Sequence, residues 1–451
     1  MPTDRDAQDE LSDFTELMRQ ERELSVGLAD IDPKARSRRR RIGWIIAAVV
    51  VLILFGTPAA YAAWALNAPV SAPTFTSQAP AVPTPAAAAI ALPSEGASAI
   101  SISGADEYLG GSASGIWAAT GTDEPHPIAS ISKVITALVV LGAMPLADAT
   151  DPGPTITFDK ADHDLYDKYY VLGATIAAMP TGSSMSQRDA LGMMLIPSAS
   201  NYAEAVATWA FGSQGAFLDA TREWLDAHGL VNTTIVEPTG ISSRNTSTPS
   251  ELIAIAKLAD ADPVISQIVA TPWISPGDLG RMANTNDLLG VDGIDGLKTG
   301  NLGEGSFALL YTASLGVGSG EPLRVTGVVL EGFSRATVDR SVTALLESIR
   351  AGFHDVPVAT AGQVVGSFST PWGASAHMVV KADASIFTWS DTPISVAMQT
   401  TTPTTYAEGE VVGKITWTAG PNTATADLVI EGTIDPPTEW WRLTHPSELG
   451  A

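Results

Sequence analysis

The sequence predicts an α/β (α+β) main domain followed by a small all-β domain and preceded by one apolar N-terminal helix. Three observations predict it. Residues 42–66 carry no charge, and from Ala97 to Ala351 Val-, Leu- and Thr-rich runs between glycines alternate with stretches of helical apolar spacing. Beyond Phe353 the texture changes to short alternating runs with no helical period. A chain of 451 residues is long enough for two or three domains with a sizeable core, and a 45% hydrophobic content excludes disorder throughout.

Residues 1–41 form a mixed-charge leader ending in Arg38, Arg39, Arg40 and Arg41. The uncharged run that follows is about 37 Å long as a helix, against a hydrocarbon core of about 30 Å. The arginine cluster orients it with residues 1–41 in the cytoplasm and everything beyond Asn67 outside, as a single-pass cell-membrane protein. A cleaved signal peptide with Ala60 and Ala62 at the cleavage site is the competing reading, and the long charged leader favours a retained anchor. Residues 67–94 are rich in Pro and Ala and read as a semi-extended tether. Residues 95–355 are expected to hold the catalytic domain and residues 356–451 a β-sandwich.

Within the catalytic domain, one or two strands over residues 97–119 precede a helix after Pro127. Residues 186–212 read as two helices hinged at Pro197, with Ser198, Ala199, Ser200 and Asn201 on the connection. Helices follow over 217–228 and 250–259, strands over 293–300, 307–315 and 323–332, and a helix over 336–351. The net charge of −24 repels phosphate backbones, so nucleic acid is not an expected partner. With no cysteine, disulfides, thiolate catalysis and Cys-bound zinc are excluded. The six histidines have no metal-ligand spacing, so no metal site is expected.

Candidate chemistry starts at Ser130 and Lys133, three positions apart and therefore on one face of a helix. An amine kept neutral by burial can take the proton of a serine hydroxyl and make it a nucleophile. Alone, this spacing also fits an N-cap serine and a solvated lysine. Downstream, Lys298, Thr299 and Gly300 end the strand-like run GIDGLKTG, where a cation, a hydroxyl and a close-approach glycine suit a peptide carboxylate. The hinge loop contributes Ser198.

S-x-x-K, S-x-N and K-T-G in that order are the signature of penicillin-binding proteins and serine β-lactamases. The segments PIASISKVITALVVL, MLIPSASNYAEAVA, VEPTGISSRNTSTPSELIAIAKLA and NTNDLLGVDGIDGLKTG resemble, in order and spacing, the low-molecular-mass D-alanyl-D-alanine carboxypeptidases. The resemblance covers roughly residues 98–353, and the β-region resembles the C-terminal domain of many such enzymes. It implies a serine β-lactamase/transpeptidase-like fold acting on peptidoglycan stem peptides, with β-lactams as covalent inhibitors and no cofactor. Ser130 would be the nucleophile, Lys133 the base, and Ser198 a proton relay or a group orienting Lys133. Lys298 and Thr299 would hold the terminal carboxylate, and the N–H groups of Ser130 and Asn301 the oxyanion.

The chain leaves the family pattern twice. Ser200 stands where the family has the asparagine of S-x-N, so either Asn201 reaches into the site or that substrate contact is gone. Asn301 and Leu302 follow K-T-G where a histidine and a threonine are common. Ser200 and Asn201 also suit plain helix capping. Arg335 and Arg340 read as surface charges, with a second carboxylate-binding cation as the other possibility. Trp440 and Trp441 are expected in core or edge packing. Two rival functions stand beside the carboxypeptidase: a β-lactamase, for which no class A acidic loop is present, and a low-turnover peptidoglycan-binding module.

Overall fold

The structure, a computed structural model, describes residues 15–20, 33–318 and 320–450. Most of the expected cytoplasmic tail lies outside them. The N-terminal helix runs from Pro33 to Asn67 through a π-helical turn at Leu52–Gly56. Pro58 has no N–H to give and its ring crowds the carbonyl four residues back, and the wider turn just before it absorbs this conflict. The apolar stretch within Ser37–Asn67 has a mean hydropathy of 2.4 and none of it is buried against protein, unlike the core helix of a soluble domain.

The segment expected as a tether lies against the body. Thr74–Ser77 (β1) pairs as an edge strand, and Ala88, Ile90 and Leu92 pack on the second of the two cores flanking the catalytic sheet. Alternating Thr and Phe on β1 supply the strand pattern that the surrounding prolines obscure.

The catalytic domain is built on an antiparallel sheet of β2 (Ala97–Ser103), β3 (Ala118–Thr120), β4 (Ile294–Gly300), β5 (Phe307–Leu315) and β6 (Leu323–Gly332), in the order β4-β5-β6-β2-β3. Both faces are covered, which is why these strands read as nearly continuous apolar runs. On β5, Ala308 and Leu310 enter one core while Leu309, Tyr311 and Ala313 enter the other. The first core is filled by α1 (Ser132–Ala143), α2 (Lys160–Val171), α3 (Gln187–Leu195), α4 (Ser200–Phe211), α5 (Gln214–Ala227), α6 (Pro249–Ala261) and α7 (Pro263–Val269). Almost every residue of α1 is buried, as its uninterrupted apolar text requires. Across the sheet, α8 (Arg335–Gly352) lays Val338, Val342, Leu345, Leu346 and Ile349 on the second core.

The chain then passes directly from α8 into the β-region: β7 (Phe353–Ala359), β8 (Val364–Ser369), β9 (Ser375–Val380), β10 (Ala384–Trp389), β11 (Ile394–Thr400), β12 (Val411–Ala419) and β13 (Asn422–Glu431). One sheet has the order β1-β8-β9-β13-β12-β11, and β7 with β10 forms a separate ribbon. The boundary drawn at residue 355 falls inside β7. Phe353 and Trp389 belong to the core shared with the catalytic domain, whereas Val356, Val358 and Ile386 belong to the core around Trp417, so the ribbon bolts the two domains together. A last helix, α9 (Glu439–Thr444), lies against the end of the N-terminal helix. The core or edge packing expected of the tryptophan pair holds for Trp441, which meets Trp372, but Trp440 is 74% exposed.

Candidate active site

Ser130 lies in the 3-10 turn Ala129–Ile131 that leads into α1. It does not cap that helix. Ser132 holds the turn instead, donating to the Ala129 carbonyl (2.8 Å) and accepting from Asn245 Nδ2 (2.9 Å). Two glycines let other segments close on this turn. A Cβ on Gly240, whose φ is +82°, would fall 1.8 Å from the Ala129 carbonyl oxygen, and one on Gly300 would meet Ile128 and Ala129 at 3.0 and 3.1 Å.

Lys133 is fully buried one turn along. Its Nζ hydrogen bonds to Ser130 Oγ at 2.9 Å and donates to the Thr239 carbonyl at 2.6 Å. Burial pulls its pKa down to about 7, with the Glu237 carboxylate opposing the shift. A substantial fraction is therefore neutral at pH 7, and that form is the one able to accept a proton from the serine hydroxyl. Glu237 also builds the loop that presents Thr239: its carboxylate accepts from the N–H groups of Thr239 (2.7 Å), Gly240 (2.7 Å) and Ser242 (3.2 Å).

The facing wall is the edge strand β4. Lys298 is 1% exposed and its Nζ reaches hydroxyls, Thr285 Oγ1 at 3.1 Å and Thr299 Oγ1 at 3.5 Å. Among the described residues no carboxylate forms an ion pair with it. Its pKa is driven well below the ordinary lysine value by burial first, then by the positive charge of Lys133 in its protonated form and of Arg335. A buried amine with only hydroxyl partners, whose charged form lacks a counter-ion, is a site that an arriving anion would stabilise. Thr299 donates to Thr285 Oγ1 (2.7 Å), and Asn301 accepts from the Gly303 N–H (2.7 Å); both line the cleft.

The cleft, about 150 Å³ in volume, brings together Ser130, Ser198, Ser200, Thr299, Gly300 and Asn301. Ser198 adopts a left-handed φ of 68°, a conformation costly for a residue with a Cβ, which points its short side chain into the cleft region. Among the described residues its hydroxyl makes no hydrogen bond to Ser130 or Lys133. Asn201 does not join them. Its Oδ1 accepts from the Ala177 N–H (3.1 Å) and its Nδ2 donates to the Ala177 carbonyl (2.8 Å), with the side chain fully buried. Asn201 is thus held away from the cleft, fully buried with its amide bonded to the Ala177 backbone, and does not line the site where the substrate contact was considered. Ser200 is the residue of the pair that lines the cleft, while its own N–H donates to the Thr175 carbonyl (2.8 Å).

Sequence reasoning passed over Thr285, which accepts from both Lys298 and Thr299. It favoured a surface charge over a second carboxylate-binding cation for Arg335, yet this residue lines the cleft and its guanidinium donates to the Thr285 carbonyl (2.9 Å) and to Asp287 (3.2 Å). Thr285 lies in the NTND text without a chemical signal of its own. What separates Arg335 from Arg340 is its place in the first turn of α8, where it lines the cleft.

Ser130 within hydrogen-bond reach of a buried lysine, across from a second buried lysine with no anionic partner among the described residues, is an arrangement able to support acyl transfer through a serine. The comparisons make the class specific. The family model described as D-alanyl-D-alanine carboxypeptidase, peptidase family S11, matches residues 108–334, half of the chain, and the chain belongs to this family. It is accordingly a serine D-alanyl-D-alanine peptidase of the low-molecular-mass penicillin-binding type. The D-alanyl-D-alanine endopeptidase of Pseudomonas aeruginosa is 29% identical over 234 residues, 50% of this chain and 70% of that one. The D-alanyl-D-alanine endopeptidase of Escherichia coli is 32% identical over 150 residues, 33% of this chain and 44% of that one, so this match spans less than half of the relative. Among solved structures, the peptidoglycan synthesis regulatory factor PBP3 from Streptococcus pneumoniae shares the fold, with a TM-score of 0.50 at 19% identity over 77% of this chain and 100% of that one.

Proposed function

We propose that the protein removes the terminal D-alanine from peptidoglycan stem peptides outside the cell membrane, through an acyl-enzyme on Ser130. Neutral Lys133 accepts the Ser130 proton as Oγ attacks the carbonyl of the penultimate D-alanine. The C–N bond to the terminal residue breaks, and the proton passes from Lys133 to the leaving amine. Lys298, Thr299 and Arg335 hold the carboxylate of that leaving residue, and the N–H groups of Ser130 and Asn301 receive the oxyanion. Ser198, which lines the same cleft, relays the proton or orients Lys133 once substrate is bound. Water then hydrolyses the ester with Lys133 again as the base. A β-lactam enters the same path, and its ring-opened amine does not leave.

The observation that carries this reading is the juxtaposition of Lys133, fully buried and 2.9 Å from Ser130 Oγ, with Lys298, buried without an anionic partner among the described residues. The N-terminal helix spans the membrane with Arg38 to Arg41 on the cytoplasmic side, a reading supported by the hydropathy of its apolar stretch and by the absence of burial within that stretch. Because both bacterial relatives are named endopeptidases, cleavage of cross-linked stems through the same acyl-enzyme is the second reading. Incubation with a stem pentapeptide and with a cross-linked muropeptide dimer tests both. D-alanine release from the pentapeptide is expected; conversion of the dimer alone would replace the carboxypeptidase by the endopeptidase. Covalent labelling by penicillin without turnover of either substrate would reduce the protein to a binding module, and rapid hydrolysis of penicillin would make it a β-lactamase.

A further inference from the structure

The last residues of the chain are stitched to the outer end of the N-terminal helix. Arg442 Nη1 donates to the carbonyls of Ala65 (3.3 Å), Leu66 (3.3 Å) and Ala68 (2.8 Å). Ala65 and Leu66 belong to the last turn, whose carbonyls have no partners within the helix, and a cation there also meets the negative end of the helix dipole. The Tyr61 hydroxyl donates to the Leu443 carbonyl at 2.9 Å, Val70 bridges Leu449 in antiparallel fashion, and the Gly450 N–H donates to the Pro69 carbonyl at 2.9 Å. Ala65, Ala68 and Leu449, with Trp441 and Leu443 against them, make a small apolar core separate from the three others. Trp441 meets the Trp372 ring edge-on, and Trp372 Nε1 donates to the Asp435 carbonyl at 2.9 Å, which ties the assembly to the β-domain.

Outside this core the aromatic rings face solvent. Trp440 is 74% exposed and Trp64 47%. Trp44 and Trp64 are separated by about 30 Å of helix, the thickness of a bilayer's hydrocarbon core. Trp64 then lies at the outer interface, the level at which Trp rings accumulate in membrane proteins. Arg442 grips the carbonyls just beyond Trp64, so Trp440, two residues from Arg442, sits at the same level. Charge does not draw this segment to an anionic surface, because Glu439 and Glu448 accompany Arg442.

We propose that residues 438–450 form a collar that fixes the ectodomain rigidly on the membrane helix and lays Trp440 in the phospholipid headgroup layer. This rests on the reading of residues 42–66 as a membrane span. Its consequence is that the cleft is carried at a set height above the bilayer instead of swinging on residues 67–94.

The chain has no cysteine, so introduced ones are unique. In the full-length protein in phosphatidylcholine–phosphatidylglycerol vesicles, Trp440→Cys and Leu54→Cys are each labelled with an environment-sensitive fluorophore. Quenching is measured with spin labels at the headgroup and at mid-chain. A Val70→Cys/Leu449→Cys pair, whose Cα atoms face each other across a β-bridge, is tested for disulfide formation, with and without Arg442→Ala. Fluorescent penicillin labelling verifies that every variant is folded. The collar predicts headgroup quenching at position 440, mid-chain quenching at position 54, and a disulfide whose formation slows about fivefold in Arg442→Ala. Quenching at 54 without quenching at 440 overturns the lipid contact while the span stands. No quenching at 54 overturns the span and the collar with it. Quenching at both positions with no 70–449 disulfide overturns the rigid docking.

Discussion

Replacing Asn201 by alanine should cost stability and leave chemistry nearly intact. The Asn201 amide satisfies both the N–H and the carbonyl of Ala177, and all of these groups are buried. Truncation strands two buried backbone groups, each worth about 1–3 kcal/mol, for a total of about 2–6 kcal/mol. Against a typical stability of about 5–15 kcal/mol, that is a large fraction, and at roughly 2–4 °C per kcal/mol the Tm should fall by about 5–20 °C. The acylation rate by a fluorescent penicillin, measured well below the lowered Tm, should change by less than about threefold, because no part of Asn201 lines the cleft. Ser200→Asn is the counterpart. It restores a side-chain amide at the cleft, where one substrate hydrogen bond worth about 1–3 kcal/mol should raise peptide acylation by roughly five- to 150-fold without lowering Tm much. An Asn201→Ala protein with unchanged Tm and acylation slowed more than about tenfold would show that Asn201 contacts the substrate.

Two further predictions follow from the electrostatics. Since Lys133 must be neutral to act as base and its pKa is pulled down to about 7, the acylation rate should rise with pH as one ionisation with its midpoint near 7. Glu237 raises that pKa, so Glu237→Gln should move the midpoint to lower pH, as read from a pH–rate profile with a neutral-side-chain peptide. Lys298→Ala should lower kcat/KM for a peptide with a free terminal carboxylate by roughly 10- to 150-fold, the loss of one charge-assisted hydrogen bond, and Arg335→Ala by less because Arg335 is partly solvated. With the corresponding terminal amide as substrate, both differences should shrink to within about threefold.

The main strands were legible because of their surroundings. Runs such as 307–315 and 323–332 are apolar on both faces, since helices cover both faces of the sheet, and the glycines at their ends mark the turns. The α3–α4 hinge was legible from Pro197 and the polar residues after it. Three elements were not. Tyr169 is the one residue of α2 that is fully buried, so this helix offers no apolar stripe to read. The strand at 74–77 owes its existence to an unpaired edge of the distant β8, a long-range contact that local text does not encode. The helix at 439–444 is held by Arg442 and by residues nearly four hundred positions earlier. The choice between Ser200 and Asn201 needed the helix start. Once α4 begins at Ser200, neighbours point about 100° apart, so only one of the two can face the cleft. Lys133 and Lys298 were recognisable as a pair from their motifs, but their burial and the threonine hydroxyls around Lys298 come from tertiary packing.

The most direct test of the account is where benzylpenicillin attaches. Intact mass of the full-length protein should rise by a single drug adduct, and peptide mapping should place it on Ser130. In Lys133→Ala the adduct should form slower by about 10²–10⁴-fold, the range lost with a general base. An adduct on any other residue, or undiminished labelling of Ser130→Ala, would contradict the assignment of nucleophile and base.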